Sequence, residues 1–174
     1  MTYSQPQAVV ADSKSSQTNG TQYLTFFCAG EEYGIDIIQV LEIKSWDKVT
    51  RVPYAPSYVL GVMNLRGLIV PVINLRARFN LENKPRDNAS VVILVKVKSS
   101  KGDKVVGILV DAVSEVYSIL AETIKPPPEM CNNTETPFVT GIASIDGNKM
   151  VMILDTDAVF ADFVHVNTPA SLSA

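Results

Sequence analysis

The stretch Tyr33-Gly34-Ile35-Asp36-Ile37-Ile38-Gln39-Val40-Leu41-Glu42-Ile43 has a counterpart in Val106-Gly107-Ile108-Leu109-Val110-Asp111-Ala112-Val113-Ser114-Glu115-Val116. At an offset of 73, Gly34 falls on Gly107, Ile37 on Val110, Val40 on Val113, Glu42 on Glu115 and Pro53 on Pro126. Further along the offset is 80, pairing Tyr58-Val59 with Phe138-Val139, Gly61 with Gly141 and Gly67 with Gly147. At 81, Ile73 meets Leu154, Asn74 meets Asp155 and Phe79 meets Phe160. Ordered matches of glycines, a proline and a glutamate indicate an internal repeat. The extra residues of the second copy are expected in the Glu129–Thr136 loop, where insertions cost little.

Around this repeat the sequence reads as short strands separated by turns. Tyr23–Phe27 ends at Gly30-Glu31-Glu32, and Tyr33–Ile43 follows; Val59–Leu65 and Leu68–Leu75 flank Arg66-Gly67. Val91–Val97 turns at Lys101-Gly102-Asp103 into Val105–Val116, while Ile142–Ile145 and Met150–Leu154 flank Asp146-Gly147-Asn148. Short helical turns are expected only after Leu75 and Asp155. The fold class is therefore all-β, with two similar barrels. Residues 1–21, polar and aperiodic, read as a disordered N-terminal segment. Residues 22–84 and 85–165 read as the two barrels, with terminal segments open to exchange between them, and 166–174 as a C-terminal tail.

Composition narrows the function. The 174 residues carry 15 Lys and Arg against 18 Asp and Glu, a net charge of −3, without the basic excess of a nucleic-acid binder. The single histidine, His165, leaves little material for acid–base or metal chemistry and reads as a surface residue. Cys28 and Cys131 could pair, but without a secretory signal they read as reduced thiols of a cytoplasmic protein. No apolar run reaches membrane-helix length. Motifs for phosphate, dinucleotide or zinc-protease sites do not occur. Ile153-Leu154-Asp155-Thr156-Asp157 resembles an aspartic-protease signature, yet Asp157 stands where the loop needs glycine and the other copy carries Asn74. Two opposed aspartates sharing a proton cannot be built from that pair.

Two charges stand out. The second copy turns at Asp146-Gly147, where Asp tolerates positive φ, whereas the first has Arg66-Gly67. Arg66 is either a solvated loop charge or a functional one. Glu42 interrupts an apolar strand between Leu41 and Ile43, and simple alternation places it on the Val40 face; otherwise it is a solvent-face residue. Trp46 reads as a binding anchor or as core or rim packing. A small β-barrel hydrolase with a carboxylate site is the competing functional class, but no convincing set of converging acids supports it.

The segments Tyr33–Ile37 and Val40–Ile43, and the run Gly61-Val62-Met63-Asn64-Leu65-Arg66-Gly67-Leu68-Ile69-Val70-Pro71-Val72-Ile73-Asn74-Leu75-Arg76, resemble the CheW family of chemotaxis coupling proteins. Val105–Asp111 with Val113 and Val116 resembles that family's second-half signature, and the likeness spans about residues 20 to 165. The resemblance implies two SH3-like five-stranded β-barrels forming a non-catalytic adaptor, with no cofactor. Its implied partners are the regulatory domain of the histidine kinase CheA, the cytoplasmic tip of methyl-accepting chemoreceptors and other CheW copies in rings, at membrane-associated arrays. Carried over by position, Val40, Glu42, Gly61, Arg66, Val91, Gly107, Val113 and Val116 match receptor-engaging places. The kinase contact is expected on an apolar surface of the first barrel, without assigned residues. Asn74, where the family usually has aspartate, and Lys44-Ser45-Trp46 depart from the pattern.

Overall fold

The computed structural model describes residues 19–129 and 138–166, with side chains described through Asp162 in the last helix. β1 (Thr21–Cys28) and β2 (Glu31–Asp36) form a hairpin around Ala29-Gly30, both at positive φ (53° and 82°). After β2 the Asp36 carboxylate accepts the Ile38 N–H at 3.0 Å and caps a single 3-10 turn, Ile37–Gln39. β3 (Val40–Ser45), β4 (Val59–Leu65), β5 (Leu68–Asn74) and α1 (Leu75–Arg78) complete the first half. The second half runs β6 (Val91–Val97), β7 (Lys104–Val110), β8 (Ala112–Ile119), β9 (Ile124–Lys125), β10 (Val139–Ile145), β11 (Lys149–Leu154) and α2 (Thr156–Val166).

The two long strands expected at Tyr33–Ile43 and Val105–Val116 are each broken, at Ile37–Gln39 and at Asp111. Both breaks serve one purpose: they carry the chain from one sheet to the other. The sheets have the orders β3-β6-β7-β5-β4 and β8-β1-β2-β11-β10-β9. Hairpin β1–β2 thus belongs with β8–β11 of the second half, and hairpin β6–β7 belongs with β3–β5 of the first. The two halves exchange their leading hairpins reciprocally. The sheets do not divide at residue 84, and the second has six strands, its extra member the two-residue β9. Parallel ladders, β5 on β7 and β2 on β11, join each borrowed hairpin to its host.

Closure explains the repeated glycines. Thr50 and Val62 exchange two backbone hydrogen bonds of 2.8 Å, tying the chain after β3 onto β4. Gly61 sits at this crossing with φ +149°, and a Cβ there would run into the Thr50 carbonyl. At the equivalent crossing β9 pairs with β10, and a Cβ on Gly141 would strike the Ile124 side chain. Gly34 and Gly107 point inward, where a Cβ would meet Val151 at 3.1 Å and Val92 at 2.9 Å respectively. These are SH3-like β domains whose interiors leave no room at those positions.

The core has three parts. Met63, Val70, Val72, Val92, Leu94 and Leu109 fill the first barrel, and Ile119, Ala143, Val151 and Ile153 the second. A larger shared core joins the outer faces of both, with Leu24, Phe26 and Ile35 from one sheet and Ile73, Ile93, Val95 and Ile108 from the other. Strand β6 alternates between the two environments: Val92 and Leu94 face inward, Ile93 and Val95 toward the shared core. Such two-sided burial accounts for the apolar run Val91–Val95.

Asn74 and Asp155 cap the helices that follow each last strand. Asn74 Oδ1 accepts the Arg76 N–H at 3.1 Å, and Asp155 Oδ1 accepts the Ala158 N–H at 3.1 Å. Asn and Asp are equally good N-caps, so the Asn74 departure preserves the local structure. Thr21 already belongs to β1 and Val166 to α2; the rest of the expected N-terminal segment through residue 18, Cys131, most of the expected insertion loop (130–137) and the tail from 167 lie outside the described residues.

Candidate interaction surface

Residues opposed across an antiparallel ladder share a face, which locates the candidate side chains. Val40 opposes Val95 and Ile43 opposes Ile93, both partners lying in the shared core. Glu42 opposes Leu94, which lines the first barrel's interior. A register shift between Val40 and Glu42 makes Leu41 an extra residue, and such a bulge reverses the alternation beyond it. Val40 and Glu42 therefore do not share a face, contrary to simple alternation. The second barrel repeats the device: Val113 opposes Phe26 and Val116 opposes Leu24, with the irregularity between them.

The repeat thus places Val40 and Val113 equivalently, each half-buried against the shared core. Val116 and Ile43 stand beside them, 48% and 43% exposed. Ile43 is absent from the residues carried over by resemblance, although its alignment with Val116 marks it. Val91 opposes Ser45 and also packs on the shared core.

Arg66 and Glu42 come together. Arg66 and Gly67 form the β4–β5 turn with φ values of 50° and 89°, and Asn64 Oδ1 accepts the Gly67 N–H at 2.7 Å. The Arg66 guanidinium lies 3.5 Å from Glu42 Oε2. In the second barrel the corresponding turn holds Asp146, at φ 53°, and Glu115 has no cation opposite it among the ion pairs of the described residues. Thr25 Oγ1 instead holds the Glu115 backbone, donating to its carbonyl at 2.9 Å and accepting its N–H at 3.2 Å. Gly61 and Gly107 contribute no contact surface; both are buried at crowded points of the first barrel.

Two polar clusters escaped the sequence reading. Asp111, where the chain crosses between sheets, accepts both Nε and NH2 of Arg76 and the Ala29 N–H at 2.8 Å. Burial opposes its charge, but the Arg76 guanidinium and that N–H outweigh burial and hold the carboxyl below the usual range. In the second barrel Lys149 Nζ lies 3.0 Å from the buried Glu32 carboxylate and donates to the Tyr117 hydroxyl at 2.8 Å. The Tyr117 hydroxyl and Glu32 raise the ammonium's pKa above its ordinary value. Nothing in the spacing of Glu32, Tyr117 and Lys149 signals that they meet, because three different strands supply them.

The acids suspected of chemistry have structural partners. Asp155 caps α2, Asp157 accepts the Lys98 N–H at 2.9 Å, and Thr156 donates to Gln39 Oε1 at 2.9 Å. Among the described residues no three His, Cys, Asp or Glu side chains gather into a metal-binding group, and no helix is long and apolar enough to cross a membrane.

The sequence profile of the family described as CheW-like domain matches residues 22–164. The chain belongs to the CheW family. It is 40% identical over 147 residues to the chemotaxis protein CheW of Klebsiella aerogenes, covering 84% of this chain and 86% of that protein. With the chemotaxis protein CheW of Rhizobium meliloti it shares 38% identity over 144 residues, 82% of this chain and 90% of that one. The crystal structure of the scaffolding protein TtCheW from Thermoanaerobacter tengcongensis superposes with a TM-score of 0.72 at 36% identity, over 81% of this chain and 92% of that chain. At this identity and coverage the chain and TtCheW share their fold.

Proposed function

We propose that the chain is a non-catalytic adaptor that couples chemoreceptors to the histidine kinase CheA at membrane-associated arrays. The observation that carries this reading is the twinned apolar placement of Val40 with Ile43 and of Val113 with Val116 around one shared core. Both barrels thereby present the same kind of apolar strand face, suited to an amphipathic helix. In this reading Val40, Val91, Val113 and Val116 contact the helical receptor tip. Glu42 and Arg66 supply charged groups that fix register, a role that suits exposed pairs better than raw affinity does. Gly61 and Gly107 act indirectly, by letting the first barrel close.

The kinase contact is assigned to the apolar end of the first barrel, where Leu68 and Ile69 are 50% and 60% exposed. An adaptor with two such surfaces raises kinase output through effective concentration, without chemistry of its own. Pull-downs against receptor and CheA, separately and together, test this. Arg66→Asp should lose receptor and keep CheA, and Ile69→Asp should do the reverse. Retention of both partners by both variants contradicts the assignment.

A further inference from the structure

Trp46 is not consumed by the adaptor surfaces above. It follows the inward-facing positions Glu42 and Lys44 and, with Val49 and Leu60, packs half-buried against the first barrel's core. Arg86, from the segment joining the two halves, lies over the ring with its guanidinium carbon 4.1 Å from the centroid. The ring and this guanidinium border a cleft of about 540 Å³. Lys48 and Arg51 line the same cleft, and no carboxylate does. A second cavity of about 300 Å³ continues past Ser57, Leu60 and Arg86. Its one acid, Asp111, is already held by Arg76, and its Lys84 pairs with Asp87.

Three cations therefore converge without a counter-charge: among the described residues none of Lys48, Arg51 and Arg86 takes part in an ion pair. In a chain of net charge −3 this is a local reversal of sign, and concave walls concentrate such a field. Val49, Val59 and Leu60 add apolar side chains to the lining. Beside it Tyr54 stands fully exposed on a backbone at φ 60°, a conformation that costs a bulky residue free energy and clusters at binding sites.

We propose that this trough binds an extended acidic segment of a partner protein, with apolar residues among its carboxylates. Two neighbouring cavities that share Ser57, Leu60 and Arg86 in their walls suit an extended peptide better than a compact anion. The Trp, Tyr and Arg side chains match the residues that dominate protein interfaces. A nucleic acid would instead call for a broad basic face.

Trp46 is the only tryptophan, so its emission reports the site directly. A phage-displayed library of random dodecapeptides would be selected on the full chain. Counter-selection would use the triple variant Lys48→Glu, Arg51→Glu, Arg86→Glu, whose fold is checked by circular dichroism. The recovered peptides should be rich in Asp and Glu interspersed with apolar residues. They should change Trp46 emission, bind the triple variant at least about tenfold more weakly, and weaken as salt screens the attraction. Lys48→Gln alone, a milder change, should weaken them several-fold. Peptides without acidic residues, binding indifferent to the substitutions, or no peptide discriminating the two proteins would overturn the proposal. So would an oligonucleotide or ATP that bound more tightly than any peptide. Because Arg66→Asp should leave peptide binding unchanged while abolishing receptor capture, failure of this site and failure of the adaptor reading are distinguishable.

Discussion

The guanidinium of Arg66 rests 3.5 Å from the carboxylate of Glu42, although β3 and β4 are the two ends of the strand order β3-β6-β7-β5-β4. Only closure of the sheet into a barrel, fixed by Thr50 on Val62, brings a turn and an edge strand together in this way. The pair thus couples the integrity of the first barrel to the charge display of the candidate receptor surface.

Arg66 is 79% exposed, and an exposed ion pair contributes at most about 1 kcal/mol. Arg66→Asp should therefore shift the urea midpoint little while strongly reducing co-sedimentation with receptor-bearing membranes. The charge-swapped double variant Glu42→Arg, Arg66→Glu should recover part of the binding if the pair acts as a unit. Normal sedimentation of the single variant would remove Arg66 from the surface.

Glycines of the repeat should not be equivalent on mutation. Gly61→Ala places a Cβ against the fixed Thr50 carbonyl at φ +149°, and strain of that kind costs about 2 to 4 kcal/mol. Gly147→Ala meets open space at φ +78° and should cost only about 1 kcal/mol, the conformational penalty alone. Denaturant unfolding of both variants measures the difference, and equal destabilisation would refute the closure argument.

Much of this architecture is legible in the residues, for reasons that the glycines make clear. Gly34 with Gly107, and Gly61 with Gly141, align because each pair meets the same steric demand in its barrel. Even the step in offset from 80 to 81 has a cause: Arg66-Gly67 is a two-residue loop, while Asp146-Gly147-Asn148 has three. The reciprocal exchange of hairpins does not show in a self-comparison, which reveals equivalence and not pairing. Strand breaks at Ile37–Gln39 and Asp111 are also hidden, because the residues around them remain apolar on both sides of the crossing. The bulge at Leu41 leaves no compositional trace, and without it Glu42 is assigned to the wrong face.

Asp111 fastens the crossing between β7 and β8 to α1 through Arg76. Its carboxyl titrates below the ordinary range in the folded protein. The unfolded chain therefore binds this proton at higher pH, so the contribution to stability is full above the unfolded pKa, about 3.9. It is lost as pH falls through the lower folded value. Asp111→Asn should destabilise at neutral pH by about 1 to 2 kcal/mol, as expected for charge-assisted hydrogen bonds. The variant should also unfold less steeply in acid. Denaturant midpoints from neutral to acid pH check both effects; parallel curves would deny Asp111 this role.

Cys28 is fully buried, and burial together with the nearby Asp111 charge pushes its thiol up to about 12. Thiolate, not thiol, is the reactive form. Cys28 should resist alkylation in native protein at pH 8 and react on unfolding, as peptide mapping by mass spectrometry would show. Rapid native labelling at Cys28 would mean that the shared core opens.

The central claim is coupling, and kinase output in a reconstitution of receptor and CheA tests it most directly. Adding the chain should raise autophosphorylation well above the level reached by receptor and kinase alone, and the Arg66→Asp variant should leave output near that lower level. Kinase output that is the same with and without the chain would contradict the account.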